Sequence, residues 1–324
     1  MLKEISIEII RKCPNNCLHC SSFSNKNCSE IIPYELFKKV VSGAKNLGLK
    51  TVCFSGGEPF LHPDIIEMIE YVYDIGLDSY VYSSGIYMDK DDIRGPIPQQ
   101  IFDRISNKVT KIIYNIEATQ KETYDIIMGT HGCFEFLKES IRRTTEAGVV
   151  AEGHFVPNRL NQNQIEETLQ FCIGLGVSKV SFLRLVNHGR ARENSDKLLL
   201  SNEQIADIKC KLVKILNENK YSIRIGVPLL GETEECHCEA ANGKLNIRYD
   251  GKVFPCEVFK NNGVEPLSDC EPDNIYEKSI EYIYKDSLYL KKARELVKSH
   301  VGCISCEQCV GCLLYTSDAA DEAR

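Results

Sequence analysis

Cys13-Pro14-Asn15-Asn16-Cys17-Leu18-His19-Cys20 is the stretch that decides how this chain reads. Its three cysteines follow a C-x3-C-x2-C spacing. A [4Fe–4S] cluster is normally held by four cysteine thiolates. Three thiolates leave one iron without a ligand from the polypeptide. Such an iron can accept a small molecule that chelates through an amine and a carboxylate. The competing reading is half of a structural zinc site, which more often shows paired C-x2-C knuckles and a second half nearby.

Working outward, Ile5-Ser6-Ile7-Glu8-Ile9-Ile10 reads as a short apolar strand that delivers the chain to this loop. Pro33 then opens a helical pattern with Leu36, Val40, Val41, Ala44 and Leu47 on one face and Gly48 as its stop. A strand over 51–54 ends at Ser55-Gly56-Gly57-Glu58-Pro59, and a helix over 63–75 follows, closed by Gly76. A third strand over 80–82 ends at Ser83-Ser84-Gly85, and a fourth over 111–116 ends at Glu117. Beyond these come a helix over 133–147, a strand over 149–156, a helix over 164–175, a strand over 179–185 and a helix that Ser201 caps, running to 219. Strand and helix alternate at least six times, which implies a parallel sheet with crossover helices. In barrel-like α/β folds the C-terminal strand ends form the active face. The first four strand ends therefore bring Cys13–Cys20, Gly56–Pro59, Ser83–Gly85 and Glu117 to one rim.

Composition sets the bounds. The 324 residues are 43% hydrophobic and 26% charged, enough for one large α/β domain and a smaller one. A formal charge of -7 argues against a nucleic-acid partner. No apolar run has the length of a membrane span, and Met1-Leu2-Lys3-Glu4 opens into a strand rather than a signal peptide. Sixteen cysteines then point to metal ligation in a reducing cytoplasm rather than to disulfides. Residues 313–324 have no hydrophobic periodicity and resemble a translated sequencing adapter, so they are expected to be a non-native tail on a chain truncated near Gly311. A native disordered tail is the other reading.

With these motifs in place, the chain resembles the radical S-adenosylmethionine (SAM) superfamily. The resemblance covers residues 1–225 and implies a partial (β/α)6 barrel of TIM type. His19 stands where that family usually has an aromatic ring. The resemblance implies that Cys13, Cys17 and Cys20 hold a [4Fe–4S] cluster with an open iron, and that Gly56, Gly57, Glu58 and Pro59 bind the methionine amino group of SAM. Ser83 and Ser84 match a polar turn near the methionine group, and an ordinary Ser-Gly turn is an equal reading. Glu117 could accept from ribose hydroxyls or be a solvated carboxylate. Relatives often carry Arg-Gly where this chain has Met128-Gly129, which puts a charge contact there in doubt. Arg184 and Arg190, around the Asn187-His188-Gly189-Arg190-Ala191 turn, are candidates to pair with a carboxylate of SAM or substrate. His154 is read as packed rather than catalytic, and no catalytic side chain is assigned.

After Gly226 the cysteines return. Cys238-x12-Gly251-x4-Cys256, around an Asp250-Gly251 hairpin turn, resembles the opening of a SPASM or twitch extension that holds auxiliary iron–sulfur clusters. A helix over 280–297 leads to Cys303, Cys306 and Cys309, with Cys312 next. Residues 226–312 are therefore expected to be a truncated, cysteine-rich α+β domain. Its ligands Cys238, Cys256, Cys303, Cys306 and Cys309 imply one auxiliary [4Fe–4S] cluster. A second cluster, and the roles of Cys236 and Cys312, stay open, as does zinc on the same thiolates. Cys28, Cys53, Cys133, Cys172, Cys210 and Cys270 lack ligand spacing. The resemblance implies reductive cleavage of SAM to a 5′-deoxyadenosyl radical that abstracts hydrogen from a substrate, with a peptide or protein as the first choice. A low-potential donor such as ferredoxin or flavodoxin would supply the electron. The alternatives are a small-molecule enzyme resembling the molybdopterin-precursor synthases, and a non-enzymatic electron carrier.

Overall fold

A computed structural model describes residues 1–226, 229, 238–260, 267 and 269–299. The chain runs through β1 (Glu4–Ile10), α1 (Tyr34–Asn46), β2 (Thr51–Gly56), α2 (Ile65–Asp74), β3 (Asp78–Ser83), the small hairpin β4 (Ile86–Met88) and β5 (Arg94–Pro96), and α3 (Gln99–Ile105). It continues through β6 (Lys111–Asn115), α4 (Lys121–Met128), α5 (Phe134–Glu146), β7 (Val150–Phe155), α6 (Ile165–Gly174) and β8 (Lys179–Phe182). The short helices α7 (Arg190–Glu193) and α8 (Ser195–Leu198) then lead to α9 (Asn202–Glu218) and β9 (Ile223–Ile225). A second hairpin, β10 (Lys244–Ile247) and β11 (Val253–Phe254), follows.

One nine-stranded sheet carries the fold, in the order β11-β10-β1-β2-β3-β6-β7-β8-β9. Every neighbouring pair is parallel except β10 with β11. Each βα unit returns its strand in the same direction, so the loops after the strands gather at one end. This is the α/β architecture expected from the alternation. Strand β10 pairs with β1 in the register Glu4↔Lys244 to Ile7↔Ile247. The sheet therefore runs across residue 225, where the boundary between two units was expected.

The alternation in β1 explains how the sheet can have two different faces. Ile5, Ile7 and Ile9 are fully buried and join the main apolar core. In that core Phe37 of α1 stacks on Phe54 of β2 with ring centroids 5.5 Å apart. Glu4, Ser6 and Glu8 alternate with them, so they lie on the opposite face. Strands of parallel sheets are usually apolar on both faces. Here the inner face carries buried ion pairs: Glu4 with Lys244 at 3.1 Å, Glu8 with Lys260 at 2.6 Å, and Lys111 with Glu152 at 3.2 Å. Buried pairs contribute little net stability, so this polar lumen is better explained as a binding space than as a core.

The single helix expected over 280–297 is two helices, Ile280–Asp286 and Leu288–Ser299. Ser287 breaks it in an extended conformation, and its hydroxyl accepts from the Leu290 N–H to cap the second helix. Tyr289 of that second helix packs edge-on against Phe254 of β11. Among the described residues no helix is long and apolar enough to cross a membrane.

Candidate functional site

The loop after β1 is closed at its neck. The Arg11 N–H donates to the Glu30 carbonyl at 2.9 Å, and the Arg11 guanidinium pairs with the Glu30 carboxylate at 2.6 Å. The Cys13 N–H donates to the Asn25 carbonyl at 3.1 Å. Two other strand-end segments clamp the loop from outside. At the C-terminal end of α4, the Met128 carbonyl accepts from the Asn16 N–H at 3.2 Å, and the Ile127 carbonyl accepts from Leu18 at 2.8 Å. Gly129 has φ +60°, and a Cβ there would sit 2.3 Å from the Asn16 carbonyl oxygen, so only glycine fits. From α7, Arg190 donates Nε to the Cys17 carbonyl at 2.8 Å and Nη2 to the Ser24 carbonyl at 2.7 Å. Its own N–H donates to the Cys20 carbonyl at 2.9 Å. Asn194 adds a bond to the Leu18 carbonyl at 3.3 Å. Arg190, weighed above as a carboxylate partner, thus has its guanidinium engaged by the cysteine loop.

The glycine turn after β2 lies against the neck. Gly57 donates its N–H to the Ile10 carbonyl at 2.7 Å, and Glu58 donates to Lys12 at 2.9 Å. A Cβ on Gly57 would lie 2.1 Å from the Lys12 carbonyl oxygen. Gly56 and Gly57 line the same cavity as Cys13, Cys17 and Cys20.

Glu58 is fully buried and ties two strand ends together. It accepts from Ser83 Oγ at 2.9 Å, Ser84 N–H at 2.8 Å, Ser84 Oγ at 2.6 Å and Phe60 N–H at 3.3 Å. Burial pushes its pKa up to about 7 against the pull of these donors. Pro59 opens the 3-10 turn Pro59–Leu61 that follows. Ser83 and Ser84 line the cavity while they hold Glu58.

Glu117 is fully buried as well, not a solvated loop carboxylate. It accepts from Asn115 Nδ2 at 3.3 Å and the Val156 N–H at 3.2 Å, and burial raises its pKa to about 7. His19 Nε2 stands 3.6 Å from its carboxylate. Burial, and then the charge of Arg190, lower the His19 pKa to about 4, so the imidazole is neutral.

Arg184 lines the cavity, is half-buried, and takes part in no ion pair among the described residues. His154 also lines it, tilted against the Tyr82 ring at 5.5 Å, and burial holds its pKa down at about 3.

The space around the three thiols has the character of a site built for an occupant. Both amide atoms of Asn15, Ser24 Oγ and His19 Nδ1 are buried without a hydrogen-bond partner. Orphaned buried polar atoms are costly and uncommon. All three residues line the cavity with Cys13, Cys17 and Cys20. Burial first, and then their neighbouring sulfurs, keep Cys13 and Cys17 protonated as free thiols. Binding to cationic iron would reverse that preference. Three thiols, a diglycine turn at the cavity wall and unmatched polar atoms fit an iron–sulfur cluster with a polar ligand beside it.

On the far wall, Cys256 lines the same cavity, and burial followed by the nearby Cys238 pushes its thiol up to about 12. Cys236, Cys303, Cys306, Cys309 and Cys312 lie outside the described residues. Sequence reasoning did not identify Asn15, the Met128 carbonyl or Asn194 as parts of the site. Only the Gly189-Arg190 turn carried a signal for the α7 clamp.

Comparison with known proteins agrees with this geometry. Residues 7–172 match the model of the Radical SAM superfamily. The chain is 23% identical over 311 residues to the PqqA peptide cyclase of Bradyrhizobium diazoefficiens, covering 94% of this chain and 78% of that protein. It is 24% identical over 277 residues to a probable GTP 3',8-cyclase of Saccharolobus islandicus, covering 82% and 86%. Among solved structures, SuiB of Streptococcus suis bound to S-adenosylmethionine shares the fold with a TM-score of 0.74 at 16% identity, over 95% of this chain and 71% of that one. On the family match and the strand-end constellation that accompanies it, the chain belongs to the Radical SAM superfamily.

Proposed function

We propose that this enzyme uses a cluster on Cys13, Cys17 and Cys20, with SAM beside it, to remove a hydrogen atom from a peptide substrate. The observation that carries the reading is one cavity shared by the three thiols, the Gly56-Gly57 backbone and the polar strand faces. When bound, the cluster and SAM supply the hydrogen-abstracting chemistry. The chain's own residues bind and orient. Gly56 and Gly57 pack against the neck of the cysteine loop and bring the turn to the cavity wall. Glu58 fixes the Ser83-Ser84 turn at the cavity wall, and Pro59 stiffens the chain after it. Arg184 pairs with a carboxylate of SAM or of the substrate. Glu117, with Asn115, braces His19 and the wall behind it.

Peptide over small molecule rests on the relatives. One is named a peptide cyclase, and SuiB has also been solved with a precursor peptide. The probable GTP 3',8-cyclase keeps a nucleotide-sized substrate as the second reading. Residues 226–312 act in this proposal as an auxiliary iron–sulfur unit, with Cys238 and Cys256 among its ligands. A low-potential ferredoxin or flavodoxin supplies electrons in the reducing cytoplasm.

The test is anaerobic reconstitution with iron and sulfide, followed by reduction with dithionite in the presence of SAM. Formation of 5′-deoxyadenosine that disappears in Cys17→Ala supports the reading, and its absence from the iron-loaded protein ends it. Mass change in a short peptide encoded beside the gene, against none in GTP, decides between the substrate classes.

A further inference from the structure

Lys260 is a fully engaged cation buried between the two cysteine-bearing walls of the cavity. It is 6% exposed. Its Nζ donates to Glu8 Oε1 at 2.6 Å and to Ser22 Oγ at 3.0 Å, and lies 3.3 Å from Glu257 Oε2. Ser22 follows Cys20 by two positions. Lys260 itself follows Cys256 by four, across the 3-10 turn Glu257–Phe259. The position is anchored on both sides. The Lys260 carbonyl accepts from Arg248 at 2.7 Å, and Asn246 donates to Glu257 Oε1 at 2.6 Å. Ser22 Oγ also donates to Glu8 Oε1 at 2.7 Å. Burial alone would depress the lysine's pKa. The carboxylates of Glu8 and Glu257 outweigh that, and the thiol of Cys20 also lies within range of the charge.

A buried charge pair is a poor device for stability alone, since well-packed apolar residues of equal volume often do as well or better. A fixed ammonium on the wall of the cavity that Cys13, Cys17 and Cys20 also line has a different consequence. Reduction of an iron–sulfur cluster adds one electron and no compensating proton, so the reduced form is more negative by one charge. A cation held nearby in a low dielectric favours that form. Cluster potentials respond to net charge and to hydrogen bonds near the sulfurs. We propose that Lys260 is a positioning residue, contributed by the C-terminal segment, that raises the reduction potential of the cluster on Cys13, Cys17 and Cys20. The C-terminal segment thereby eases reduction of the N-terminal cluster by a low-potential donor. This rests on the cluster reading above.

The experiment is a redox titration of the reconstituted full-length protein, with dithionite as reductant and electron paramagnetic resonance as readout. The N-terminal cluster is identified by the change SAM makes in its signal. Lys260→Met should raise the oxidised-to-reduced ratio at fixed poise at least tenfold, about 59 mV for a one-electron couple. Lys260→Arg, which keeps the charge, should stay within threefold of wild type. Glu8→Gln removes the opposing charge and should move the ratio the other way, which keeps the idea testable if Lys260→Met fails to hold iron. Ratios unchanged in iron-loaded Lys260→Met, an Arg variant shifted as far as the Met variant, or a Glu8→Gln shift of the wrong sign would each overturn it. A wild-type protein that takes no iron at the three thiols removes the cluster reading too. Intact SAM cleavage with unmoved potentials removes this proposal alone.

Discussion

Glu117 is held by one amide and one backbone N–H, and among the described residues its nearest basic group, His19, is uncharged at neutral pH. Its folded pKa of about 7 lies above the roughly 4.3 of an unfolded glutamate. Between those values the folded state binds more protons, so stability falls as pH rises, and below the unfolded pKa the penalty vanishes. A shift of this size corresponds to about 3.5 kcal/mol. We expect Glu117→Gln to narrow the stability difference between pH 5 and pH 8 by about 2–3 kcal/mol, read from urea unfolding at the two pH values. Equal slopes in variant and wild type would show that the carboxyl is ionised in the fold. Gly57 makes a steric prediction. Its missing Cβ is replaced by the Lys12 and Arg11 carbonyl oxygens, which are backbone and cannot swing aside. Gly57→Ala should cost about 1–3 kcal/mol and lower the iron retained per chain, measured by melting and by iron assay. A melt and an iron content equal to wild type would contradict the close packing. Gly57 was legible from the sequence because a diglycine after a strand announces close backbone approach. The burial of Glu117 was not, since one acid at a strand end looks the same whether it faces water or a neighbouring strand.

The cysteine loop, as an element, has no regular secondary structure, and its shape comes from backbone carbonyls fixed by other elements. Arg190 supplies two of those bonds with one planar guanidinium, a geometry an ammonium cannot copy. Hydrogen bonds to charged groups contribute about 1.5–3 kcal/mol each. Arg190→Lys should therefore loosen the loop by about one such bond, and Arg190→Ala by both. Faster cleavage by trypsin at Lys12 and Lys26 in the iron-free protein, with unchanged cleavage in α9, would be the signature. Protection equal to wild type would mean the loop holds itself. The helices and strands around this loop were legible because each has a period: α1 buries Phe37, Val40, Val41 and Ala44, and Ser201 with Gln204 forms the capping box that starts α9. The clamp was not legible, because it joins Arg190 to Cys17 across 173 positions and nothing local in either segment encodes the other.

The parallel α/β sheet of the whole molecule followed from the alternation of strand and helix patterns. The place of the second hairpin did not, since Leu245 and Ile247 announce a strand but not its neighbour. That neighbour is β1, and the pairing gives the C-terminal segment a part in the barrel itself. Its loss would act at three levels. The Gly243 carbonyl would no longer accept from the Lys3 and Glu4 N–H groups, and the β1 backbone would become an open edge. Glu4 would lose Lys244 and Glu8 would lose Lys260, stranding two buried carboxylates. Breaking such a pair by removing one partner costs about 3–5 kcal/mol, comparable with the whole stability of a domain of about 5–15 kcal/mol. A chain ending at residue 226 should therefore aggregate or elute as an expanded species on size exclusion, although it keeps every residue of the first cysteine loop. Replacing Glu4 and Glu8 by glutamine in that shortened chain should recover part of the soluble fraction, because the stranded charges are gone while the open edge remains. A shortened chain that melts cooperatively within a few degrees of the full protein would show that the barrel closes without β10, and that the lumen's ion pairs are incidental to its folding.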